Sequence, residues 1–201
     1  MLTIHTLTLG TYGTNCYIIH DSASKTCCVI DPGYTPEKIL DEVNALGLTV
    51  EAILLTHGHF DHVGGVKEIA AETDCDVYLC ADELTLPPQI TAGQLYYTKT
   101  YGEGDTLHLA GLTISVIRTP GHTPGSVCLL IGDAMFSGDT LFAGSCGRTD
   151  FKGGDQQAMM ASLKKLGQLP GNFRVLPGHM EESTLDAERQ VNPWMREALK
   201  A

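Results

Sequence analysis

Short apolar runs separated by glycine and proline turns predict strands along the whole chain, and each half of the chain ends in helices. In the first half, Thr35-Pro36-Glu37 predicts a helix start, because threonine offers a capping hydroxyl and proline suits the first helical position. Gly47 is expected to end this helix. The strands predicted in this half are Leu2–Thr8, Cys16–His20, Thr26–Ile30, Ala52–Thr56 and Val77–Cys80, with further helices over Val66–Ala71 and near Asp82.

The second half opens with Pro87–Asp105, a segment that has no clear period and carries Tyr96, Tyr97 and Tyr101. This segment is either a loop that covers a substrate or a plain surface loop. A hairpin is expected over Thr106–Thr119. The later elements are strands at Ser126–Ile131, Ala134–Phe136 and Arg174–Leu176, a helix capped by Asp155 and a closing helix from near Ser183. This order of elements predicts an α/β layered domain.

Composition narrows the range of partners. The 201 residues suit one domain, 1–201, and the net charge of -11 repels nucleic acid. The chain contains no apolar run near the roughly 20 residues that span a bilayer, and its start lacks a secretory signal pattern. Seven cysteines without a Cys-x-x-Cys pair indicate reduced thiols rather than disulfides or a cysteine zinc site. We therefore expect a cytoplasmic protein that acts on a small molecule, either as a monomer or as a homodimer.

A cluster of histidines follows the predicted strand Ala52–Thr56, in the sequence His57-Gly-His59-Phe-Asp61-His62. Residues two apart in an extended turn project to one side, so His57 and His59 can bind one metal ion. Asp61 and His62 come after the chain has begun to turn, and they can face a second ion. The spacing therefore predicts a dinuclear site.

Further metal-binding residues stand at other predicted strand ends. His122, Asp139 and His179 are each flanked by glycine or proline, which let the backbone turn sharply and bring a side chain inward. Five imidazoles and two carboxylates suit two Zn²⁺ ions, and iron or manganese is an alternative. One of the carboxylates can bridge the two ions. His5, His20 and His108 match no motif and are expected to be structural.

The order HxHxDH, His122, Asp139 and His179 resembles the metallo-β-lactamase superfamily, and TNCYII at Thr14–Ile19 and VIDPG at Val29–Gly33 extend the resemblance over nearly the whole chain. The resemblance implies a four-layer αββα sandwich with the metals in a groove at one edge of the sheets. It implies that Asp139 bridges the two ions. Asp31 either hydrogen-bonds to a ligand histidine, as in the family's first motif, or is an ordinary turn residue. The implied ligands are His57, His59 and His122 for the first ion, and Asp61, His62 and His179 for the second.

Two longer motifs, GHTPGS and SGDTLFAGSCGRTDFKGG, resemble the glyoxalase II-like branch, the hydroxyacylglutathione hydrolases. This resemblance implies hydrolysis of S-acyl thiol conjugates such as S-lactoylglutathione by a metal-bound hydroxide, with Asp61 and Asp139 beside it. Chemistry agrees, because a thiolate leaves without a strong general acid whereas an amide nitrogen must be protonated. Arg148 stands where those enzymes contact glutathione, or else it forms a surface salt bridge with Asp150. Only 22 residues follow His179, so their additional helical domain is not expected here.

The main alternative is an oxidoreductase. CGRTDF at Cys146–Phe151 is also similar to the persulfide dioxygenases of the superfamily, in which a single iron would be held by the positions of His57, His122 and Asp139. Other dinuclear zinc hydrolases, acting on lactones or esters, are a further alternative. A non-enzymatic module is expected to lack metal ligands, and all seven positions are filled here.

Overall fold

A computed structural model describes residues 1–91 and 93–201 of the chain. Two six-stranded sheets pack face to face, and helices cover the outer face of each sheet. This arrangement confirms the predicted α/β fold class and the four-layer αββα sandwich. Within the described residues, no helix combines the length and the apolar character that crossing a bilayer requires.

The first sheet has the strand order β1-β2-β3-β4-β5-β6. Its first three strands are antiparallel, and from β3 onward the strands run parallel, with α1 and α3 packed on the outer face. Parallel neighbours of this kind bring their carboxyl ends to one edge. The strands are β1 (Leu2–Leu9), β2 (Thr14–Asp21), β3 (Thr26–Ile30), β4 (Thr49–Leu54), β5 (Asp76–Leu79) and β6 (Lys99–Thr100), and the helices are α1 (Pro36–Ala45), the short α2 (Phe60–Val63) and α3 (Val66–Thr73).

The second sheet has the order β14-β13-β10-β9-β8-β7, and a separate two-stranded ribbon joins β11 to β12. Strands β10 and β13 are parallel neighbours, whereas the other pairs are antiparallel. The strands are β7 (Thr106–Leu109), β8 (Leu112–Arg118), β9 (Val127–Ile131), β10 (Ala134–Gly138), β11 (Leu141–Phe142), β12 (Ser145–Cys146), β13 (Arg174–Pro177) and β14 (Ser183–Thr184), and the helices are α4 (Gln156–Gly167), α5 (Leu185–Val191) and α6 (Pro193–Ala198).

The principal core lies between the two sheets. Ile19 and Leu54 of the first sheet pack in one cluster with Ile114, Phe136 and Leu176 of the second, and all five side chains are buried. Phe136 is fully buried, so truncating it to alanine would cost about 3–5 kcal/mol of stability. The sandwich therefore fixes the relative position of the loops that leave both sheets at the shared edge.

Several local predictions need correction. Thr35 precedes α1, but its backbone lies in the left-handed region at φ 46° and its hydroxyl makes no capping hydrogen bond. The closing helix is two helices, because Asn192 is extended, caps α6 with its side chain and is followed by Pro193. Asp155 does cap α4 as predicted, by accepting a hydrogen bond from the backbone N–H of Ala158 at 2.9 Å.

The described residues of Pro87–Asp105 run along the surface, and the short strand β6 and the buried Tyr101 attach them to the first sheet and its core. Tyr101 is buried, and its hydroxyl donates to the carbonyl oxygen of Leu55 at 2.6 Å. Tyr96 and Tyr97 line a surface hollow beside Lys67 rather than the groove described below. The described residues of this segment therefore favour the surface-loop interpretation.

The cysteines are free thiols. Cys27, Cys28 and Cys128 are buried in the strands, as expected for small apolar residues, and only Cys146 of the seven is partly exposed.

Candidate metal centre

Five histidines and two aspartates lie together at one edge of the sandwich. His57 and His59 lie in the loop that follows β4 of the first sheet, and Asp61 and His62 lie in the short helix α2 directly after it. The second sheet supplies the other three, each just beyond a strand. They are His122 after β8, Asp139 after β10 and His179 after β13.

The first group joins the two sheets through His57, His59 and His122. One ring nitrogen from each of these residues lies within 4.8 Å of the other two. The ring centroid of His122 lies 4.9 Å from that of His57 and 4.5 Å from that of His59. All three Nε2 atoms are buried and have no hydrogen-bond partner among the described residues. Buried polar atoms are normally satisfied, so three converging free nitrogens fit a bound metal ion.

The second group consists of Asp61, His62 and His179. Asp61 Oδ2 lies 3.2 Å from His179 Nε2 and 3.6 Å from His62 Nε2. The two imidazole Nε2 atoms are 3.2 Å apart. Two nitrogens and a carboxylate oxygen facing one point also suit a divalent cation.

Asp139 lies between the two groups. Its Oδ2 is 3.4 Å from Nε2 of His122 in the first group and 3.5 Å from Nε2 of His179 in the second. Its Oδ1 is 3.5 Å from His62 Nε2 and has no hydrogen-bond partner among the described residues. This carboxylate therefore faces both groups.

Asp31 contacts Nδ1 of His62, the ring nitrogen opposite the one that faces the second group. Its Oδ2 lies 2.9 Å from His62 Nδ1 and accepts from the Thr56 hydroxyl at 2.5 Å, while its Oδ1 accepts from the Thr56 backbone N–H at 2.8 Å. Asp31 adopts φ 50°, an uncommon conformation for a residue with a side chain. Asp31, His57 and His62 also form a compact cluster. Because hydrogen bonds already occupy the carboxylate, we interpret this cluster as a support that orients the imidazoles.

Two backbone carbonyls orient the histidines of the second sheet. His122 Nδ1 lies 2.7 Å from the carbonyl oxygen of Arg148, and His179 Nδ1 lies 3.1 Å from that of Tyr12. Each contact leaves Nε2 directed toward its group. A methyl group at Gly178 would lie 2.7 Å from His62 Cε1, so glycine is required where the His179 loop passes the centre.

The TNCYII motif fastens the His179 loop to the first sheet. The Asn15 side chain donates to the carbonyl oxygens of Pro177 at 3.1 Å and Met180 at 2.9 Å, and the Tyr17 hydroxyl donates to Pro177 at 2.6 Å. The motif therefore holds a loop of the opposite sheet in place.

The pKa values of the histidines differ between the two groups. Burial lowers the pKa of His59 to about 4 and that of His57 well below its usual range, so both rings are neutral at pH 7. Burial alone would raise the pKa of Asp139, but His62 and His179 outweigh it and lower the pKa. Burial alone would lower the pKa of His179, but the carboxylates of Asp139 and Asp61 raise it to about 10. His57 and His59 therefore already have the neutral form that binds metals, whereas His179 carries a proton that a bound ion would displace.

A groove of about 460 Å³ opens over the two groups. Arg148 lines it, but its guanidinium is paired with Asp150 through two hydrogen bonds of 2.7 Å and lies 3.8 Å from the centroid of Phe151. The predicted salt bridge is therefore present, and Arg148 still faces the groove. The apolar walls, which sequence patterns did not single out, are formed by Tyr12, Phe60, Phe142, Cys146, Phe151 and Met180.

Comparison with curated proteins identifies related sequences. The family model of the metallo-beta-lactamase superfamily matches residues 9–179. A probable metallo-hydrolase, YqgX, from Bacillus subtilis is 35% identical over 201 residues, which cover 93% of this chain and 94% of the relative. The hydroxyacylglutathione hydrolase GloC from Haemophilus influenzae is 29% identical over 209 residues, covering 96% of this chain and 98% of the relative.

Solved structures show the same architecture. The B3 metallo-beta-lactamase BLEG-1 superimposes with a TM-score of 0.89 at 32% identity, covering 96% of this chain and 99% of that one. TTHA1623, crystallised in a di-iron-bound form, gives 0.85 at 38% identity, covering 94% and 99%. ETHE1 from Myxococcus xanthus gives 0.82 at 29% identity, covering 95% and 83%.

Proposed function

The chain belongs to the metallo-β-lactamase superfamily as a metal-dependent hydrolase, and from this premise we propose that it is a thioesterase for S-acyl conjugates of small thiols, such as S-lactoylglutathione. The observation that carries the proposal is the pair of side-chain groups at the floor of an apolar groove, with Asp139 between them. Similarity to the hydroxyacylglutathione hydrolase GloC supports the choice of a thioester substrate.

In the proposed centre, His57, His59 and His122 would hold one ion, and Asp61, His62 and His179 would hold the other. Asp139, which lies between the two groups, would serve both. Zinc is the expected metal. Iron is the alternative, because the similar protein TTHA1623 was crystallised in a di-iron-bound form. Divalent ions in these positions would supply Lewis-acid activation of water and of the acyl carbonyl. Asp31 would keep His62 in the tautomer whose Nε2 lone pair is free.

Hydrolysis joins the oxygen of water to the carbonyl carbon and breaks the carbon–sulfur bond. The electron pair of that bond leaves with sulfur, and the water protons end on the thiol and in solvent. Asp61 is the carboxylate suited to orient the water, because the Thr14 hydroxyl donates to its Oδ2 at 3.3 Å and fixes its rotamer. A thiol has a pKa of about 8.5, so its thiolate leaves without a dedicated acid. The polar groove residues outside the candidate ligands, Ser145 and Arg148, therefore need not supply one.

Substrate recognition would use the apolar walls and Arg148. The aromatic rings of Tyr12, Phe142 and Phe151 are suited to methylene groups of the acyl and thiol portions. Arg148 would contact a carboxylate of the thiol, although Asp150 competes for the same guanidinium.

The test is hydrolysis of S-lactoylglutathione by zinc-loaded protein, beside the corresponding oxygen ester and a β-lactam. We expect chelator-sensitive turnover of the thioester that is at least tenfold faster than that of the other two, because alkoxide and amine leaving groups need protonation. The β-lactam is included because the chain is similar to the metallo-beta-lactamase BLEG-1. Absence of thioester turnover by protein with its full metal complement would overturn the proposal.

A second candidate is oxygenation of persulfides at a single iron held by His57, His122 and Asp139. The observation behind it is the CGRTDF segment, whose Arg148 carbonyl oxygen lies 2.7 Å from Nδ1 of His122, a residue that both ligand sets share. Persulfide-dependent uptake of O₂ by iron-loaded protein, without thioester turnover by the zinc form, would favour this reaction over hydrolysis.

A further inference from the structure

Glu83 is a fully buried carboxylate outside the two groups and the groove. It has no exposed surface and lies on a 3₁₀ helix, Ala81–Thr85, directly after β5. A carboxylate removed from water is costly unless hydrogen bonds satisfy it. Burial raises the pKa of Glu83, while the Thr123 hydroxyl and the backbone N–H groups of Gly58 and Gly125 oppose that rise.

The two carboxylate oxygens contact two different loops. Oε2 accepts a hydrogen bond from the backbone N–H of Gly58 at 2.5 Å, and Oε1 accepts one from Gly125 at 2.6 Å. Gly58 stands between His57 and His59, and Gly125 lies three residues after His122. One side chain therefore links the two loops that carry the first group of histidines, one from each sheet.

The packing around this link is tight. A methyl group at Gly125 would lie 2.8 Å from Glu83 Cγ and Oε1, and one at Gly58 would lie 3.0 Å from Glu83 Oε2. The neighbouring Asp82 pairs with Arg118, which also donates to the carbonyl oxygen of Pro124 at 3.0 Å. The 3₁₀ helix thus holds the segment around His122 through two adjacent acidic residues.

We propose that Glu83 is a positioning residue that sets the separation of His57 and His59 from His122, and thereby the metal affinity of this group. The proposal rests on the ligand assignment made above and not on the choice of a thioester substrate. It concerns how this chain's own residues are held, because the partners of Glu83 are the backbone N–H groups of Gly58 and Gly125 and the Thr123 hydroxyl, and no imidazole of the described residues donates to it.

The test is Glu83→Gln, with Zn²⁺ as the probe. Glutamine keeps the size of the side chain, but its NH₂ group must face one of the two backbone N–H donors, so one link is lost. We expect metal-free E83Q to fold, and one of two Zn²⁺ ions to bind 10- to 100-fold more weakly in competition with a chelator, the range typical of residues that orient ligands. Circular dichroism and thermal unfolding of the metal-free proteins check the fold.

Glu188→Gln is the matched control. Glu188 is 1% exposed and accepts from the backbone N–H of Gly144 at 2.8 Å, but Gly144 does not lie beside a histidine of either group. A merely structural effect would lower the unfolding temperature in both variants and leave the zinc affinities equal. Unchanged zinc affinity in E83Q, or equal weakening in E83Q and E188Q, would overturn the proposal.

His57→Ala separates this inference from the ligand assignment. Loss of one ion in H57A identifies which step of the titration belongs to the first group. If H57A loses that ion while E83Q retains it with normal affinity, the role of Glu83 is wrong and the assignment stands. If E83Q does not fold, Glu83→Asp is the variant to measure instead, because the shorter carboxylate keeps its charge but cannot reach both loops. Normal zinc affinity in E83D would likewise overturn the proposal.

Discussion

Replacing Asp31 with asparagine should weaken metal binding by the second group without unfolding the protein. Oδ1 of Asp31 accepts from the Thr56 backbone N–H at 2.8 Å, so the oxygen of asparagine must stay there and its NH₂ group must take the place of Oδ2. That NH₂ group then faces His62 Nδ1, which lies 2.9 Å from Oδ2 in the native protein. The imidazole has to accept a hydrogen bond at Nδ1 and carry its proton on Nε2, the atom that would bind metal.

The size of the effect follows from this exchange of tautomers. A hydrogen bond to a charged group contributes about 1.5–3 kcal/mol, and this is the preference that Asp31 gives to the metal-binding tautomer of His62. Because 1.4 kcal/mol corresponds to a factor of ten, the affinity of the second group should fall by about 10- to 150-fold. The fold should persist, because the bond to the Thr56 backbone is kept and the Thr56 hydroxyl can reverse its role toward the new NH₂ group.

The assay is a Zn²⁺ titration against a competing chelator, with nitrogen NMR of the imidazoles to read the tautomer of His62. Asp155→Asn serves as the control, since Asp155 also accepts a backbone hydrogen bond and asparagine caps helices equally well. A D31N protein that keeps both normal zinc affinity and the Nδ1-protonated tautomer would refute the reasoning.

Three further predictions concern other parts of the centre. The His57→Ala variant should remain folded, lose one ion and show thioester turnover reduced by at least about 10²-fold. His108→Ala, at an exposed position, should behave as wild type in metal analysis and kinetics. Full activity in H57A would contradict the ligand set. Asp150→Asn should free Arg148 and raise kcat/KM for S-lactoylglutathione about two- to fivefold without changing that for a neutral thioester, and an equal change for both substrates would count against a carboxylate contact. Burial raises the pKa of Cys146 to about 11, and Cys146 should be the only thiol labelled in the native protein. Labelling should be slow at pH 7.5 and about tenfold faster for each unit of pH up to 10, because the thiolate is the reactive form. Rapid labelling at pH 7.5, or more than one modified thiol by mass spectrometry, would contradict this burial.

The sequence predicts the strands and the loops of the centre well because both depend on local signals. Apolar runs locate β4, β10 and β13, and Gly138 and Pro177 end the last two. The polar residues that follow these runs must therefore lie at strand ends. The parallel pairing of β10 and β13 then brings Asp139 and His179 to the same edge. The structure thus gathers residues that are 40 positions apart in the chain.

Other features depend on tertiary contacts that leave no local pattern. The hydroxyl of Thr35 is suitable for capping, yet the backbone at Thr35 is left-handed, as it is at Asp31 in the turn before it, and the hydroxyl makes no capping hydrogen bond. Glu83 lies in a short 3₁₀ helix, and its partners, Gly58 and Gly125, are backbone groups of distant loops. The apolar walls of the groove come from single residues of separate turns, such as Tyr12 and Met180, so no periodicity marks them.

Each of the two groups of metal-binding side chains has a supporting carboxylate of its own. Glu83 links the loops of the first group across the two sheets, whereas Asp31 orients His62 of the second group from within the first sheet. Asp139 faces both groups, and the ring centroids of His57 and His62 lie 4.1 Å apart, so a disturbance in one group can reach the other through either contact. Ions bound to both sheets stabilise the folded state in proportion to the logarithm of metal concentration over Kd. Because each group takes residues from both sheets, weakening either support should also reduce the stabilisation that metal gives to the packing of the sandwich.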